Sequence, residues 1–256
     1  MENQFVGCVV KDSISTLTIN NPPVNALSTR VMRELDEALG ELGGAKVVII
    51  TGAGNLFSAG ADIKELAKIS SGEEARQFSE CCHRVLRRIE TSKRPVIAAI
   101  NGNCLGGGLE LALCCHIRIA SEGARLGQPE INLGIIPGAG GTQRLPRVVG
   151  SSMALEMLLT GEPLSTEEAR TYGLVNRVTK PELLMEEATF LAKRIVARPA
   201  SAASLIIEAV ESGHNMPLEL ALELESKLFG DVFTTEDSKE GLKAFLEKRS
   251  PKFKDK

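Results

Sequence analysis

Short apolar runs alternate with helix-spaced patterns through the first half of this chain, and that alternation restricts the possible folds more than any other feature. Val6–Val10 and Ser15–Ile19 read as strands either side of the polar turn Asp12-Ser13. Ser28 reads as a helix N-cap, with the helix running through Met32, Leu35, Leu39 and Leu42 and stopping at Gly43-Gly44. Lys46–Thr51 and Pro95–Ile100 are predicted as buried strands. Between them a glycine-bearing loop, Gly52 to Gly60, leads to a long helix with Ala75, Phe78, Cys82, Val85 and Ile89 on one face. Another helix opens at Gly106. Strands and helices at these intervals predict an α/β fold with layered sheets, and no sequence repeat is visible.

After about Lys180 the pattern becomes helical only. Glu182–Ala197, Pro199–Ser212, Pro217–Phe229 and Thr235–Lys248 read as helices, punctuated by Arg198-Pro199, Gly213 and Gly230. Leucines at 218, 220, 222, 224 and 228 cover more than one face of their helix. Such a helix is expected to lie between its own core and a partner subunit.

With 256 residues the chain can hold one large domain, or one domain with an appendage. The 30 basic residues against 33 acidic ones argue against a surface that coats nucleic acid. Cys81-Cys82 and Cys114-Cys115 are adjacent pairs, and with Cys8 and Cys104 they form no zinc-ligand spacing. Cysteines inside apolar runs read as small core residues in a reduced compartment. Met1–Val10 has no secretory pattern and no apolar run has bilayer-crossing length, so a cytoplasmic protein is expected.

Three segments carry chemistry. In Phe57-Ser58-Ala59-Gly60-Ala61-Asp62-Ile63-Lys64 a turn of small residues enters a helix, leaving N–H groups near Ala61 without internal partners. Taken alone it reads more simply as an ordinary loop between strand and helix. Asn101–Glu110 enters a helix through Gly106-Gly107-Gly108, which suits either a polarising helix start or a close-packing turn. A phosphate cradle is disfavoured, because neither a P-loop ending nor a GxGxxG strand–helix junction is present. In Leu126–Thr142, Glu130 has apolar neighbours that would raise its pKa on burial, although a lone surface glutamate is usually solvated. Glu110 and Glu130 together could divide into an acid and a base.

The segments Asn21–Leu27, Phe57–Glu65, Pro95–Glu110, Leu126–Arg144 and Gly241–Phe253 closely resemble the enoyl-CoA hydratase (crotonase) family, in order and across essentially the whole chain. One departure is Leu126, where members commonly carry phenylalanine. The resemblance implies a crotonase-type spiral of β-β-α units over residues 1–195, carrying the active site. Residues 196–256 would then form a helical region for oligomerisation and active-site cover, in a homotrimer or a dimer of trimers. It implies an oxyanion hole from the N–H groups of Ala61 and Gly107, with Glu110 and Glu130 as the catalytic pair. Coenzyme A would be bound around Ala59, Ala61, Asp62, Ile63 and Lys64, with Lys248 and Lys252 reaching its phosphates, a single solvated lysine being the plainer reading of each. No metal is implied, and no cofactor besides the CoA of the substrate. His83, His116 and His214 match no catalytic position.

The implied reaction is reversible syn addition of water to trans-2-enoyl-CoA. Members with one glutamate often catalyse Δ3-Δ2 isomerisation, so having both favours hydration, with isomerisation or a specialised substrate (a cyclic dienoyl or short-chain CoA thioester) as the alternatives. RNA binding, known among relatives of the fold, is disfavoured. The helix Ser28–Leu42 carries Glu34, Asp36, Glu37 and Glu41 against Arg30 and Arg33. The basic cluster Arg84, Arg87, Arg88, Lys93 and Arg94 reads as a solvated face. A silent scaffold fits poorly with two carboxylates.

Overall fold

The computed structural model describes residues 5–255; the part of the leader reading that falls on residues 1–4 lies outside them. Val6–Lys11 and Ile14–Ile19 form an antiparallel hairpin through Asp12 and Ser13, both with positive φ (53° and 59°). A two-residue turn of that hand matches the right-handed twist of its strands. Val47–Gly52, Val96–Ile100, Ile117–Ser121 and Arg177–Thr179 then add in parallel, giving a six-stranded sheet.

The apolar runs of these strands are explained by burial on both faces, as parallel sheets require. Val48, Ile50, Val96, Ala98 and Ile100 enter the main core with Leu86, Ile89, Leu109 and Leu111. Their strand neighbours Val47, Ile49, Ile97 and Ala99 enter a second core closed by Leu184, Ala188 and Ala192 of the helix Leu184–Val196.

A second, smaller sheet positions the site. Leu56–Ser58, Asn103–Leu105 and Arg125–Gly127 are parallel neighbours, and Leu164–Ser165 adds antiparallel at one edge. Each of the three parallel strands runs directly into one of the chemically suggestive segments. At two or three residues apiece, these strands are too short to show a period of two.

Ser28 caps the helix Thr29–Gly40 as expected, its hydroxyl accepting from the Val31 N–H at 3.2 Å. That helix ends at Gly40, not at Gly43-Gly44. Leu42 is still buried, but in the turn closed by Ala45 N–H to the Leu42 carbonyl. In Gly72–Glu90, Val85 and Ile89 are buried with Leu86, Phe78 and Cys82 are partly covered, and Ala75 is exposed.

The C-terminal helices are Ala200–Gly213, Leu218–Phe233 and Glu236–Leu246. Gly230 does not end its helix after Phe229 as the sequence suggested. The helix continues through it, with the Phe229 and Phe233 rings packed 4.8 Å apart across it at i,i+4 spacing. Leu228 faces the chain's own core, whereas Leu218, Leu220 and Leu222 are exposed. No helix among the described residues is long and apolar enough to cross a membrane.

Candidate active site

The site begins with two peptide N–H groups. After the strand Leu56–Ser58, the chain pairs with Leu27: Leu27 N–H donates to the Gly60 carbonyl at 2.8 Å and Asp62 N–H to the Leu27 carbonyl at 3.4 Å. Neither bond uses the Ala61 N–H. Asp62 then caps the short helix Ile63–Leu66 by accepting from Lys64 N–H at 2.8 Å. Glu65 ties this turn to the start of the earlier helix Thr29–Gly40, its carboxylate accepting from both Thr29 N–H and the Thr29 hydroxyl.

After the neighbouring strand Asn103–Leu105, Gly106 takes φ +50° and Gly107 begins the helix Gly107–Cys114. A β-carbon placed on Gly107 would lie 3.2 Å from the Ala61 nitrogen, so the two segments touch and their N–H groups lie side by side. Among the described residues neither the Ala61 nor the Gly107 N–H donates a hydrogen bond. Two adjacent unsatisfied donors, one of them at a helix start, make a site for a developing oxyanion.

Both glutamates converge on this point. Glu110, in the first turn of the same helix, is 3% exposed, and its Oε1 accepts from Ala139 N–H and Gly141 N–H at 2.7 Å each. Burial pushes its carboxyl up, while those two N–H groups and the Arg144 charge pull the other way. Glu130 lies on the 3-10 turn Pro129–Leu133, directly after the third parallel strand. Its carboxylate rests on Gly106, where an added β-carbon would fall 2.9 Å from Oε1. Burial pushes Glu130 up to about 7, against a bond from its own backbone, and the Glu110 charge adds to the push.

That rise matches the expectation from sequence, for a different reason. The flanking Ile131 and Leu133 are 40% and 56% exposed, so they do not bury the carboxyl; the fold of its turn onto Gly106 does.

Ala61, Gly107, Glu110 and Glu130 line one cleft of about 990 Å³, with Leu27, Met32, Leu66, Phe78 and Leu86 among its apolar walls. Of the residues expected to hold CoA, Ala59, Ile63 and Lys64 are exposed beside Ala61, and Asp62 is spent on its helix cap. Lys248 and Lys252 are not among the residues lining the cleft. Lys252 lines a separate hollow with Glu236, Glu240 and Arg249, its N–H bound to Glu240.

The loop Pro137-Gly138-Ala139-Gly140-Gly141, in the segment Leu126–Thr142, presents two N–H groups to Glu110, a use the sequence did not reveal. The supports of that loop were missed altogether. Arg144 Nη1 donates to the Ala139 carbonyl at 3.0 Å while its Nε and Nη2 grip Glu90 at 2.9 and 3.0 Å. The Ser79 hydroxyl donates to the Gly138 carbonyl from the opposite wall of the cleft. Gln128 is fully buried with its side-chain amide beside the Glu130 carboxylate; with the amide nitrogen assigned to that side, it lies 3.0 and 3.1 Å from the carboxylate oxygens.

Comparison with known proteins agrees with the family resemblance. A family model described as enoyl-CoA hydratase/isomerase matches residues 10–256. A probable enoyl-CoA hydratase of Bacillus subtilis is 47% identical over 97% of this chain and 98% of its own length. A short-chain-enoyl-CoA hydratase of Clostridium acetobutylicum is 44% identical over 92% of each chain. The crystal structure of an enoyl-CoA hydratase from Bacillus anthracis superposes with a TM-score of 0.93 at 40% identity, covering 99% of this chain and 100% of that one.

Proposed function

The chain belongs to the enoyl-CoA hydratase/isomerase family, and we infer from this that it is a hydro-lyase adding water to trans-2-enoyl-CoA to give 3-hydroxyacyl-CoA. The observation that carries the reading is the meeting, in one cleft, of two carboxylates with two N–H groups that have no partner among the described residues.

The thioester oxygen accepts from Ala61 and Gly107. A water held between the glutamates loses a proton to Glu110 as its oxygen bonds to C3. The C2–C3 π pair moves toward the carbonyl, and the resulting enolate oxygen is held by the two N–H groups. Glu130 delivers its proton to C2, on the face from which water came, so the addition is syn. The pair resets when the proton passes from Glu110 back to Glu130. Two features support this division of roles. Glu110 accepts two backbone N–H bonds, which favour its ionised form, and Glu130 is pushed up to about 7, which keeps it protonated near neutrality. No metal or further cofactor enters the step.

In this reading residues 1–195 carry the chemistry and residues 196–256 serve assembly and cover of the site. The backbone near Ala59, Ala61, Asp62 and Ile63 holds the CoA portion, Lys64 meets its phosphates, and Lys248 and Lys252 approach the site of a neighbouring subunit. Leu218, Leu220 and Leu222, exposed on one helix, support a homotrimer or a dimer of trimers. The assembly works in the cytoplasm.

Crotonyl-CoA is the substrate for the test, since a similar enzyme is named for short chains. The enzyme should remove the conjugated thioester absorbance of crotonyl-CoA in a protein-dependent manner. Conversion of a β,γ-enoyl-CoA without hydration of crotonyl-CoA would replace this reading with isomerisation.

A further inference from the structure

A second cavity lies directly behind the loop that holds Glu110. It encloses about 630 Å³ between the helices Gly72–Glu90, Gly141–Val149 and Ala200–Gly213. Its charged lining is Arg87, Arg118, Arg144, Arg147, Glu90 and Glu211. Two of the arginines are already committed. Arg118 donates to the carbonyls of Ala112, Cys115 and Leu174, and Arg144 to Glu90 and the Ala139 carbonyl. Arg87 and Arg147 are exposed and form no ion pair among the described residues. Of the carboxyl groups, Glu90 is taken by Arg144, while burial and the Glu90 charge push Glu211 up, away from its ionised form. The cavity therefore holds two guanidinium groups with no carboxylate to pair them.

Cleft and cavity meet, since His83, Gly140 and Gln143 line both. His83 and Gln143 are exposed, and no bond joins their side chains across this partition. Gln143 Nε2 turns to the hydroxyl of its neighbour Thr142, and the His83 ring has no hydrogen bond among the described residues.

We propose that the enzyme takes trans-2-enoyl-CoA substrates whose acyl chain ends in a carboxylate, the tail passing between His83 and Gln143 to Arg87 and Arg147. The proposal rests on the hydratase reading above. The order of groups along the substrate gives the direction. With the thioester oxygen at Ala61 and Gly107 and C3 at the water held by Glu110, the chain beyond C3 continues toward what stands around Glu110. That is the loop bonded to it through Ala139 and Gly141, and the facing side chains Ser79, Cys82 and His83. A methyl-ended tail entering the second cavity would strip water from guanidinium groups and return no bond. A terminal carboxylate returns charge-assisted bonds, and its two oxygens match the planar donor fork of arginine. The chemistry at C2 and C3 is unchanged: water is added and no further reactant enters.

The test is a series of trans-2-enedioyl-CoA thioesters of increasing length, each compared with the methyl-ended enoyl-CoA of the same length. At the length that reaches the cavity, kcat/KM should favour the carboxylate-ended member. Arg87→Gln with Arg147→Gln should lower that preference roughly fivefold to tenfold, the methyl-ended partner measuring any general loss in the variant. Added salt should shrink the preference in the unaltered enzyme, because both guanidinium groups are open to solvent. Preference for the methyl-ended member at every length, or a preference that the double substitution leaves intact, would overturn the proposal. Calorimetric binding of saturated dicarboxylic and monocarboxylic acyl-CoA reads the same discrimination without turnover. It therefore separates failure of this proposal from failure of the hydratase reading, which inactivity on crotonyl-CoA would show.

Discussion

Glu110 and Glu130 share a cleft but are supported differently, and the roles proposed for them follow from that difference. Glu110 receives two peptide N–H bonds, from Ala139 and Gly141, and its loop is anchored by the Arg144–Glu90 pair. Glu130 has one side-chain amide beside it and rests against a glycine. Glu110→Gln and Glu130→Gln should each lower turnover by about 10²–10⁴ while leaving binding of a CoA thioester in place. Binding is read by calorimetry and turnover by absorbance; full activity in either variant would remove that residue from the mechanism. Stability should respond in the opposite sense. The Glu130 carboxyl is raised from 4.5 to about 7 in the folded chain, so folding favours its protonated form. That contribution is complete below about pH 4.5 and is lost as pH rises through about 7. Glu130→Gln, neutral throughout, should be more stable than wild type at pH 8 by on the order of 2 kcal/mol and equal to it at pH 4. Denaturant titrations at the two pH values measure this, and a constant difference would place the cause outside the carboxyl's ionisation.

At the scale of elements, what could be read from sequence was whatever carries its own local signal. Ser28 caps its helix through its own hydroxyl, and Val47–Ile50 is apolar throughout because it is covered on both faces. The strands Leu56–Ser58, Asn103–Leu105 and Arg125–Gly127 have no such signal, since tertiary pairing alone makes them strands. The carboxylates and the N–H pair were legible through resemblance to a family, whereas Gln128 was not, because a glutamine's use depends on where its amide is turned. Gly230 shows the opposite error, a residue whose usual role as a helix end was overridden by the Phe229–Phe233 contact across it. Because it sits inside the helix Leu218–Phe233 with open space around its α-carbon, Gly230→Ala should stabilise the chain by about 0.5–1 kcal/mol. Thermal unfolding should show a rise of roughly 1–4 °C, and a fall would mean that the backbone there is not helical in solution.

At the scale of the whole molecule, the C-terminal helices carry uncovered apolar surface. Leu218, Leu220 and Leu222 are 68%, 51% and 50% exposed on one helix, and Phe245 and Leu246 are exposed on the next. Apolar surface of that density is stable in water only when another surface covers it. In the proposed homotrimer or dimer of trimers this surface is the contact, so Leu220→Glu with Leu222→Glu should reduce the particle mass measured by light scattering toward that of a single 27.4 kDa chain. An unchanged mass would assign assembly to some other face. The small sheet has a different kind of reach. Its donors, Ala61 and Gly107, emerge from the ends of two hydrogen-bonded parallel strands, and such strands lie about 4.8 Å apart in any sheet. Their separation is thus a ruler built into backbone geometry, set when the sheet forms and identical whatever side chains surround it. Substitution can recut the cleft or exchange its carboxylates, and the gauge proposed to grip the thioester stays the same.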